Sequence, residues 1–154
     1  MKITYKGDYA LKALFKLALC YNEDESEVMS INDMAGLGDM PVKFLEQILL
    51  VLRRGGFVKS KRGVNGGFVL ARPPKDITVG EVVRFIEGPI EPISCIQEEC
   101  YKGCKDLANC IFRDVWKEVR DAISSVVDTL TFEDLLVKYK QKELSLEPAC
   151  DYAI

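Results

Sequence analysis

Four cysteines lie close together in the second half of a chain that contains no histidine. Cys95, Cys100, Cys104 and Cys110 follow the spacing Cys-x4-Cys-x3-Cys-x5-Cys in the stretch CIQEECYKGCKDLANC. Thiols at such spacing can form disulfides, bind zinc or bind an iron–sulfur cluster. The choice depends on the redox environment of the protein and on the elements that hold the stretch.

The rest of the sequence predicts a protein of the reducing cytoplasm. Its 154 residues suffice for one ordinary domain, and 48% of them are hydrophobic, as is typical of a folded soluble protein. Lys12 and Lys16 interrupt the N-terminal apolar residues, so no signal peptide is predicted, and no later segment predicts a membrane span. Six cysteines in a cytoplasmic protein argue against a disulfide framework. A metal site or a redox role is therefore the better prediction.

The cysteine spacing favours an iron–sulfur cluster over zinc. Structural zinc sites usually contain a Cys-x2-Cys pair, and this stretch has none. Iron–sulfur clusters accept looser spacings and prefer thiolate ligands, and Lys102 and Lys105 would offset the negative charge of a 2Fe-2S or 4Fe-4S cluster. Zinc stays open as an alternative. So does a metal-free redox switch, in which Cys95 to Cys110 form reversible disulfides.

The distribution of charge indicates a nucleic-acid partner, although the net charge is only −3. Between positions 53 and 75 the chain has seven basic residues and no acidic one. They are Arg53, Arg54, Lys59, Lys61, Arg62, Arg72 and Lys75. This pattern predicts a local basic surface in an otherwise acidic protein.

The elements around the basic segment predict a winged helix-turn-helix domain. Apolar residues recur at intervals of three and four over residues 5–20, which predicts an amphipathic helix. Ser30 can cap a short helix, and a longer one begins near Pro41. The strand-like runs FVKS and FVL then flank KRGVNGG, whose Asn65-Gly66 pair and following glycine allow the positive φ of a hairpin turn. Three helices followed by a basic hairpin form a winged helix.

The start of the longer helix and the hairpin supply the candidate contacts with double-stranded DNA. In the hairpin, Arg62 at the tip is placed to enter a minor groove, while Lys59, Lys61 and the backbone at Gly63 can meet phosphates. A recognition helix presents its first turns to base edges in the major groove. Its candidate residues are Pro41, Val42, Lys43, Glu46 and Gln47. For the last two, a solvated position without a DNA contact is the alternative.

A second amphipathic helix is predicted after the cysteines. Its apolar residues keep close to a spacing of 3.5. They are Val115, Val119, Ala122, Ile123, Val126 and Leu130. Because this narrow seam lies far along the chain from the winged helix, it predicts a homodimer, which would also suit a palindromic DNA site. Packing of the helix on its own N-terminal domain is the alternative.

The predicted fold is therefore mainly α with a small β-hairpin wing. The predicted divisions are a DNA-binding domain at 1–88, a cysteine-rich loop at 89–110, a dimerisation helix with a capping helix at 111–140, and a weakly ordered tail at 141–154. The sequence does not predict an enzyme. It has no histidine for a Cys–His nucleophile pair, no P-loop or G-x-G-x-x-G after a strand, and no conspicuous pair of carboxylates.

Several longer motifs of the chain occur together in one known family. They are KITYKGDYALKAL, the run KFLEQ to FIEGP, the cysteines and W-x11-DTLTFEDLL, which together span about residues 1–137. In this combination the chain resembles the IscR/NsrR-type family of bacterial winged-helix transcriptional regulators. The resemblance implies a homodimer, promoter DNA as the ligand and, in many members, an iron–sulfur cluster that tunes DNA binding. Metal-free control by a partner protein also occurs among the proteins it resembles.

The resemblance also implies which residues hold a cluster. Counting back from Trp116, Cys110 and Cys104 match two of the three family cysteines, and Cys95 matches the other after a longer insertion that contains Cys100. These residues are the implied ligands for a cluster that senses redox conditions, nitric oxide or iron–sulfur status.

The fourth ligand has two candidates. One branch of the family uses a histidine where this chain has Arg113, so that ligation is excluded here. Cys100 would complete an all-cysteine set, whereas Asp8 stands where the nitric-oxide-sensing branch uses an aspartate from the partner subunit. Asp8 is equally explained as a carboxylate at a helix start. The resemblance further implies that Glu46 helps to discriminate between promoter classes.

Overall fold

The computed structural model describes residues 3–21, 27–36, 40–96, 104 and 109–146. Over these residues it contains six α-helices and one antiparallel hairpin, so the predicted fold class is confirmed. The elements are α1 (Tyr5–Leu19), α2 (Ile31–Gly36), α3 (Val42–Arg54), β1 (Val58–Lys61), β2 (Gly67–Leu70), α4 (Val79–Glu87), α5 (Ile111–Val127) and α6 (Phe132–Leu146). Short 3-10 turns lie at Pro74–Asp76 and Ser94–Ile96. None of these helices is long and apolar enough to cross a membrane.

Side-chain caps fix where most of the helices begin. The hydroxyl oxygens of Thr4, Ser30 and Thr78 each accept the backbone N–H three residues further on, at 3.4, 3.2 and 3.2 Å. At the start of α6, Thr131 and Asp134 cap each other, because the Asp134 N–H donates to the Thr131 hydroxyl and the Thr131 N–H donates to the Asp134 carboxylate. These bonds satisfy N–H groups that lack partners within the helix.

The recognition helix differs from its prediction by one position at its start. Pro41 is the N-cap residue of α3 instead of lying in its first turn, and its carbonyl accepts the N–H groups of Phe44 and Leu45 at 3.0 and 2.9 Å. Leu45 is fully buried, whereas Phe44 beside it is exposed, although its apolar side chain suits the buried face. The outer face of the first turn is therefore more apolar than the sequence predicts.

One hydrophobic core joins α1, α2, α3, the hairpin base, α4 and α6. Its members include Ala10, Ala13, Leu14, Leu17, Met34, Leu45, Ile48, Leu49, Leu52, Phe57, Val58, Leu70, Ile77, Val82 and Phe132. Phe132 is fully buried, and its N–H donates to the carbonyl of Ile77 at 3.0 Å. The last helix thus packs with the DNA-binding domain. It continues to Leu146, past the predicted boundary at 140, while 147–154 lies outside the described residues.

The hairpin is anchored to the helices by a third extended segment. β1 and β2 pair from Val58 with Leu70 to Lys61 with Gly67. Met29, just before α2, exchanges two backbone hydrogen bonds with Phe68, at 3.1 and 2.9 Å. A Cβ at Gly67 would collide with the carbonyl oxygen of Met29, so this close approach requires a glycine. The wing is therefore held at its base against the helix-turn-helix.

The turn of the hairpin differs from its prediction. The positive φ falls at Gly63, with a value of 124°, and not at Gly66 or Gly67. The Gly66 N–H donates to the carbonyl of Gly63 at 3.0 Å and closes the turn there. The turn therefore begins at Gly63, directly after Arg62.

The α5 helix stands apart from the core. None of its residues is buried in the single chain. Its C-terminal end is held by Arg84 of α4, which forms an ion pair with Asp128 and donates to the Ser124 hydroxyl at 3.2 Å. A Cβ at Gly80 would collide with the Asp128 carboxylate, so α4 approaches the end of α5 closely. Hydrogen bonding to Asp128 raises the pKa of Arg84.

Candidate DNA interface and cysteine site

The recognition helix exposes every residue that the sequence predicts for the major groove. These residues are Pro41, Val42, Lys43, Glu46 and Gln47, all in or next to the first two turns of α3. The opposite face is held in the core by Leu45, Ile48, Leu49 and Leu52. Phe44 lies between the exposed face and the buried face of α3. Its ring packs edge to face against Tyr9 of α1, with ring centroids 5.6 Å apart. The buried residues and this ring contact together set the rotation of α3 relative to the domain.

The wing brings its predicted basic residues to one projecting edge. Lys59, Lys61, Arg62 and Gly63 are all exposed. Arg53, at the end of α3, donates to the Ser60 hydroxyl of β1 at 3.3 Å, so the recognition helix and the wing are connected directly. An arginine flanked by exposed backbone contributes no packing and is available to a DNA groove.

Arg72 is half-buried, and its guanidinium is engaged within its own domain. It forms an ion pair with Glu81, donates to the carbonyl of Asp76 at 2.8 Å and lies over the ring of Phe57 at 5.3 Å. A basic residue with three partners in its own domain has little capacity left for DNA. The count of seven basic residues therefore overstates the charge available at the interface.

Val64 is a tip residue that the sequence prediction missed. Its side chain is fully exposed, between Gly63 and Asn65. A lone β-branched apolar residue in a turn otherwise made of glycine, asparagine and arginine is the sequence signal that could have identified it. It lies two residues after Arg62, in the turn of the hairpin.

The cysteines occupy three different environments. Cys95 is half-buried in the turn at Ser94–Ile96, Cys104 is exposed, and Cys110 is the half-buried N-cap residue of α5. Cys100 lies outside the described residues. Within the described part of the chain, no three cysteine or acidic side chains come together as a metal site would require.

Arg113 links two of these cysteines through their backbones. Its guanidinium Nε–H donates to the Cys95 carbonyl at 3.2 Å, and its backbone N–H donates to the Cys110 carbonyl at 3.1 Å. The turn that carries Cys95 is thereby held at the first turn of α5. This linkage was not predicted, because Arg113 was considered only as the residue that replaces a histidine.

Asp8 lies on α1, far in sequence from the cysteines of the loop. Its carboxylate forms an ion pair with Lys12, one helical turn further on, at 2.6 Å. Asp8 also lines a cleft at the N-terminal end of α1 with Ile3, Thr4 and Tyr5. An i, i+4 ion pair on an exposed helix face explains the presence of this carboxylate, and a role as a cluster ligand is not needed to explain it.

Cys20 is set apart from the loop cysteines. It ends α1 half-buried, and burial, together with the nearby carboxylate of Glu27, raises the pKa of its thiol. A protonated thiol in that position is a poor metal ligand and a poor nucleophile.

Comparison with known proteins decides the family. Residues 3–138 match the family described as Rrf2, iron-dependent transcriptional regulator. The chain belongs to the Rrf2 family. It is 42% identical over 137 residues to an rrf2-like HTH-type transcriptional regulator of Rhodobacter capsulatus, covering 87% of this chain and 91% of that protein.

Two solved structures resemble this Rrf2 chain over most of its length. CymR, the global cysteine regulator of B. subtilis, superposes with a TM-score of 0.73 at 35% identity, over 88% of this chain and 95% of that one. T. potens IscR superposes with a TM-score of 0.72 at 32% identity, over 96% and 93%. The predicted family is thus confirmed. These relatives are transcriptional regulators and not enzymes, and this chain is a DNA-binding transcriptional regulator.

Proposed function

We propose that this Rrf2 protein is a homodimeric promoter-binding regulator whose DNA affinity is tuned by an iron–sulfur cluster in the loop between α4 and α5. The observation that carries the dimer is the orientation of α5. With about 3.6 residues per turn, Val115, Val119 and Val126 lie about 180° around the helix from the clamped residues Ser124 and Asp128. The apolar seam therefore points away from its own chain.

A second copy of α5 is the best partner for this seam. The exposed large apolar residues of the helix include Ile111, Phe112, Val115, Trp116 and Val126. A seam with a period near 3.5 suits helix–helix packing about a two-fold axis. Such an axis relates two recognition helices, which in helix-turn-helix dimers read half-sites about 34–36 Å apart.

In each half of the proposed dimer, α3 enters the major groove and the wing reaches the minor groove. The exposed side chains of Lys43, Glu46 and Gln47 are of the types that bond guanine, cytosine and adenine edges respectively. Arg62 follows the minor groove, and Val64 contacts its sugar walls. Lys59 and Lys61 contact phosphates.

The donor chemistry of the loop supports an iron–sulfur cluster. Thiolates are the preferred protein ligands of such clusters, and the family is described as iron-dependent. Cys95, Cys104 and Cys110 would hold the cluster, with Cys100 or Asp8 of the partner subunit as the fourth ligand. When bound, the cluster would supply sensitivity to redox conditions, nitric oxide or iron–sulfur status.

Contacts at both ends of this loop connect it to helices that set the geometry of the proposed dimer. The loop leaves α4 just after Glu87, whose carboxylate accepts the Thr4 N–H and hydroxyl at 3.0 and 2.6 Å. These hydrogen bonds lower the pKa of Glu87. At the other end, Arg113 ties the Cys95 backbone to the first turn of α5. The chain between α4 and α5 is thus attached at both ends to elements that position the two halves of the dimer.

Metal analysis of anaerobically purified protein tests the cluster. We expect brown protein with comparable iron and acid-labile sulfide per chain, and Cys104→Ala should lose both, because one thiolate ligand of the set is removed. Cys20→Ala, at a cysteine outside the loop, is the matched control and should keep the wild-type iron content. Colourless wild-type protein without iron would refute the cluster while leaving the DNA-binding function intact.

A metal-free regulator controlled by thiol oxidation or by a partner protein is the second candidate. It is favoured by the similarity to CymR, the global cysteine regulator of B. subtilis, and by the separation of the described cysteines. Protein with zinc, or with no metal and titratable loop thiols, would support this candidate or its zinc-bound variant.

Arg62→Ala tests the wing. We expect affinity for a duplex that the wild-type protein selects from a random-sequence library to fall at least about tenfold, because a desolvated arginine in the minor groove and its charge are both lost. Electrophoretic mobility shift at fixed salt measures this. Lys75→Ala removes an equal charge from the exposed turn outside the wing and should change affinity by less than about twofold. Equal effects of the two substitutions would remove the wing from the interface.

A further inference from the structure

A groove between α1 and α6 has an apolar floor. Leu11 and Phe15 of α1 face Leu135 and Tyr139 of α6 across it. The rings of Phe15 and Tyr139 meet edge to face with centroids 5.5 Å apart. The groove has a volume of about 380 Å³ and is broadly open to solvent. It is made by elements other than α3, the hairpin and α5, so it is separate from the proposed DNA and dimer surfaces.

Lysines line both edges of the groove. Lys12 and Lys16 stand on α1, and Lys138 and Lys142 stand on α6. Each pair is spaced i, i+4, so its two members lie one turn apart on the same side of the helix. Among the described residues that line the groove, none is acidic. An apolar stripe thus lies between two rows of positive charge.

The two edges differ in the charge they leave available. On α1, Lys12 pairs with Asp8 at 2.6 Å, and Lys16 donates to the carbonyl of Met34 at 2.9 Å. Burial lowers the pKa of Lys16, and the neighbouring Lys12 charge adds to that effect. On α6, neither lysine of the groove forms an ion pair with a described residue. The α6 lysines are therefore the less compensated pair, with the Asp134 carboxylate near enough to Lys138 for a charge interaction but not in an ion pair with it.

We propose that this groove docks an acidic amphipathic helix of another protein. Lysine pairs on both helices, each spaced by one turn, match a helix whose apolar residues recur at i, i+3, i+4 and i+7 between flanking glutamates. The groove spans about two helical turns, roughly 12 Å, along α6. Small-molecule sites bury most of their ligand, which this open groove does not do. Its apolar floor equally disfavours a phosphate backbone.

A synthetic helix tests the docking site on the full-length protein. The probe is a fluorescein-labelled peptide about four turns long, with leucines at i, i+3, i+4 and i+7 between flanking glutamates. We expect saturable binding by fluorescence anisotropy, with Kd on the order of 10–100 µM at low salt and weaker binding as salt rises. The same peptide with lysines in place of its glutamates should not bind.

Matched variants reverse the charge of a lysine on the groove side of α6 or of a lysine on its opposite side. Lys138→Glu should weaken the peptide about threefold, and Lys138→Glu with Lys142→Glu about tenfold, because attraction becomes repulsion. Lys140→Glu makes the same charge change about 200° around the helix from Lys138 and should leave the Kd within about 1.5-fold. All three variants should bind the selected duplex like wild type.

Three outcomes would overturn the proposal. The first is equal weakening by Lys138→Glu and Lys140→Glu, which would mean that the peptide follows overall charge. The second is tighter peptide binding by a Glu147→Lys, Asp151→Lys variant, which would make the chain's own C-terminal segment the occupant. The third is release of monomers by the peptide in sedimentation velocity, which would make a second copy of the chain the occupant.

Discussion

A chain carrying Val115→Glu and Val126→Glu is expected to be monomeric at micromolar concentration and to bind a two-half-site duplex about 100-fold more weakly than wild type. Both valines are exposed in the single chain, so the substitutions remove no core packing. In the proposed dimer they place four carboxylates in an apolar seam, where burying an unpaired charge is costly. Sedimentation equilibrium and mobility shift measure the two effects.

The loss of affinity follows from the geometry of the site. A dimer that has bound one half-site holds its second recognition helix at a high effective concentration, and a monomer loses that advantage. Ser125→Glu is the matched control, because it adds one carboxylate about 100° around α5 from the seam. It should stay dimeric and keep the wild-type affinity. Dimeric behaviour of the double variant would assign the interface to another surface.

The local features of this fold could be predicted from sequence. Hydroxyl caps at Ser30 and Thr78 mark helix starts because they satisfy backbone N–H groups with atoms only three residues away. The recognition helix and the wing were predicted for the same reason, since period, caps and glycines act within a few residues. The family comparison and the fold then confirmed the winged-helix architecture.

Features that depend on distant contacts were missed. Arg72 counts as a basic surface residue in sequence, but its partner Glu81 withdraws it from that surface. The positive φ at Gly63 was missed for a local reason, because several glycines of the turn could have supplied it. The arrangement of the cysteines depends on a loop whose path no periodicity describes, so the spacing could suggest the ligands but not bring them together.

The predicted division of the chain stays a prediction, and distant contacts bear on it. The predicted capping helix was grouped with the dimerisation helix because it follows that helix directly in sequence. In the structure, α6 packs on α1, and among the described helices α5 is the one without a buried residue. Backbone hydrogen bonds on both sides of Thr131 hold the start of α6 against the DNA-binding domain. The Val79 N–H donates to the Leu130 carbonyl at 2.9 Å, and the Phe132 N–H donates to the Ile77 carbonyl.

Phe132→Ala is expected to lower the free energy of unfolding by about 3–5 kcal/mol, the usual cost of deleting a fully buried phenylalanine side chain. Phe132 opens α6 and belongs to the same core as α1 and α3. Urea unfolding followed by circular dichroism, at one fixed protein concentration, measures the change. DNA affinity should fall only as far as the folded fraction falls.

Leu144→Ala is the control that separates the effect of burial at Phe132 from a general sensitivity of α6 to truncation of its side chains. Leu144 lies on the same helix but is 75% exposed, so its truncation should cost less than about 0.5 kcal/mol. A large loss for Phe132→Ala beside a small loss for Leu144→Ala would place α6 in the DNA-binding core. If Phe132→Ala instead weakened only dimerisation and left the urea midpoint unchanged, α6 would act with α5, and the sequence-based division at 111–140 would be the better one.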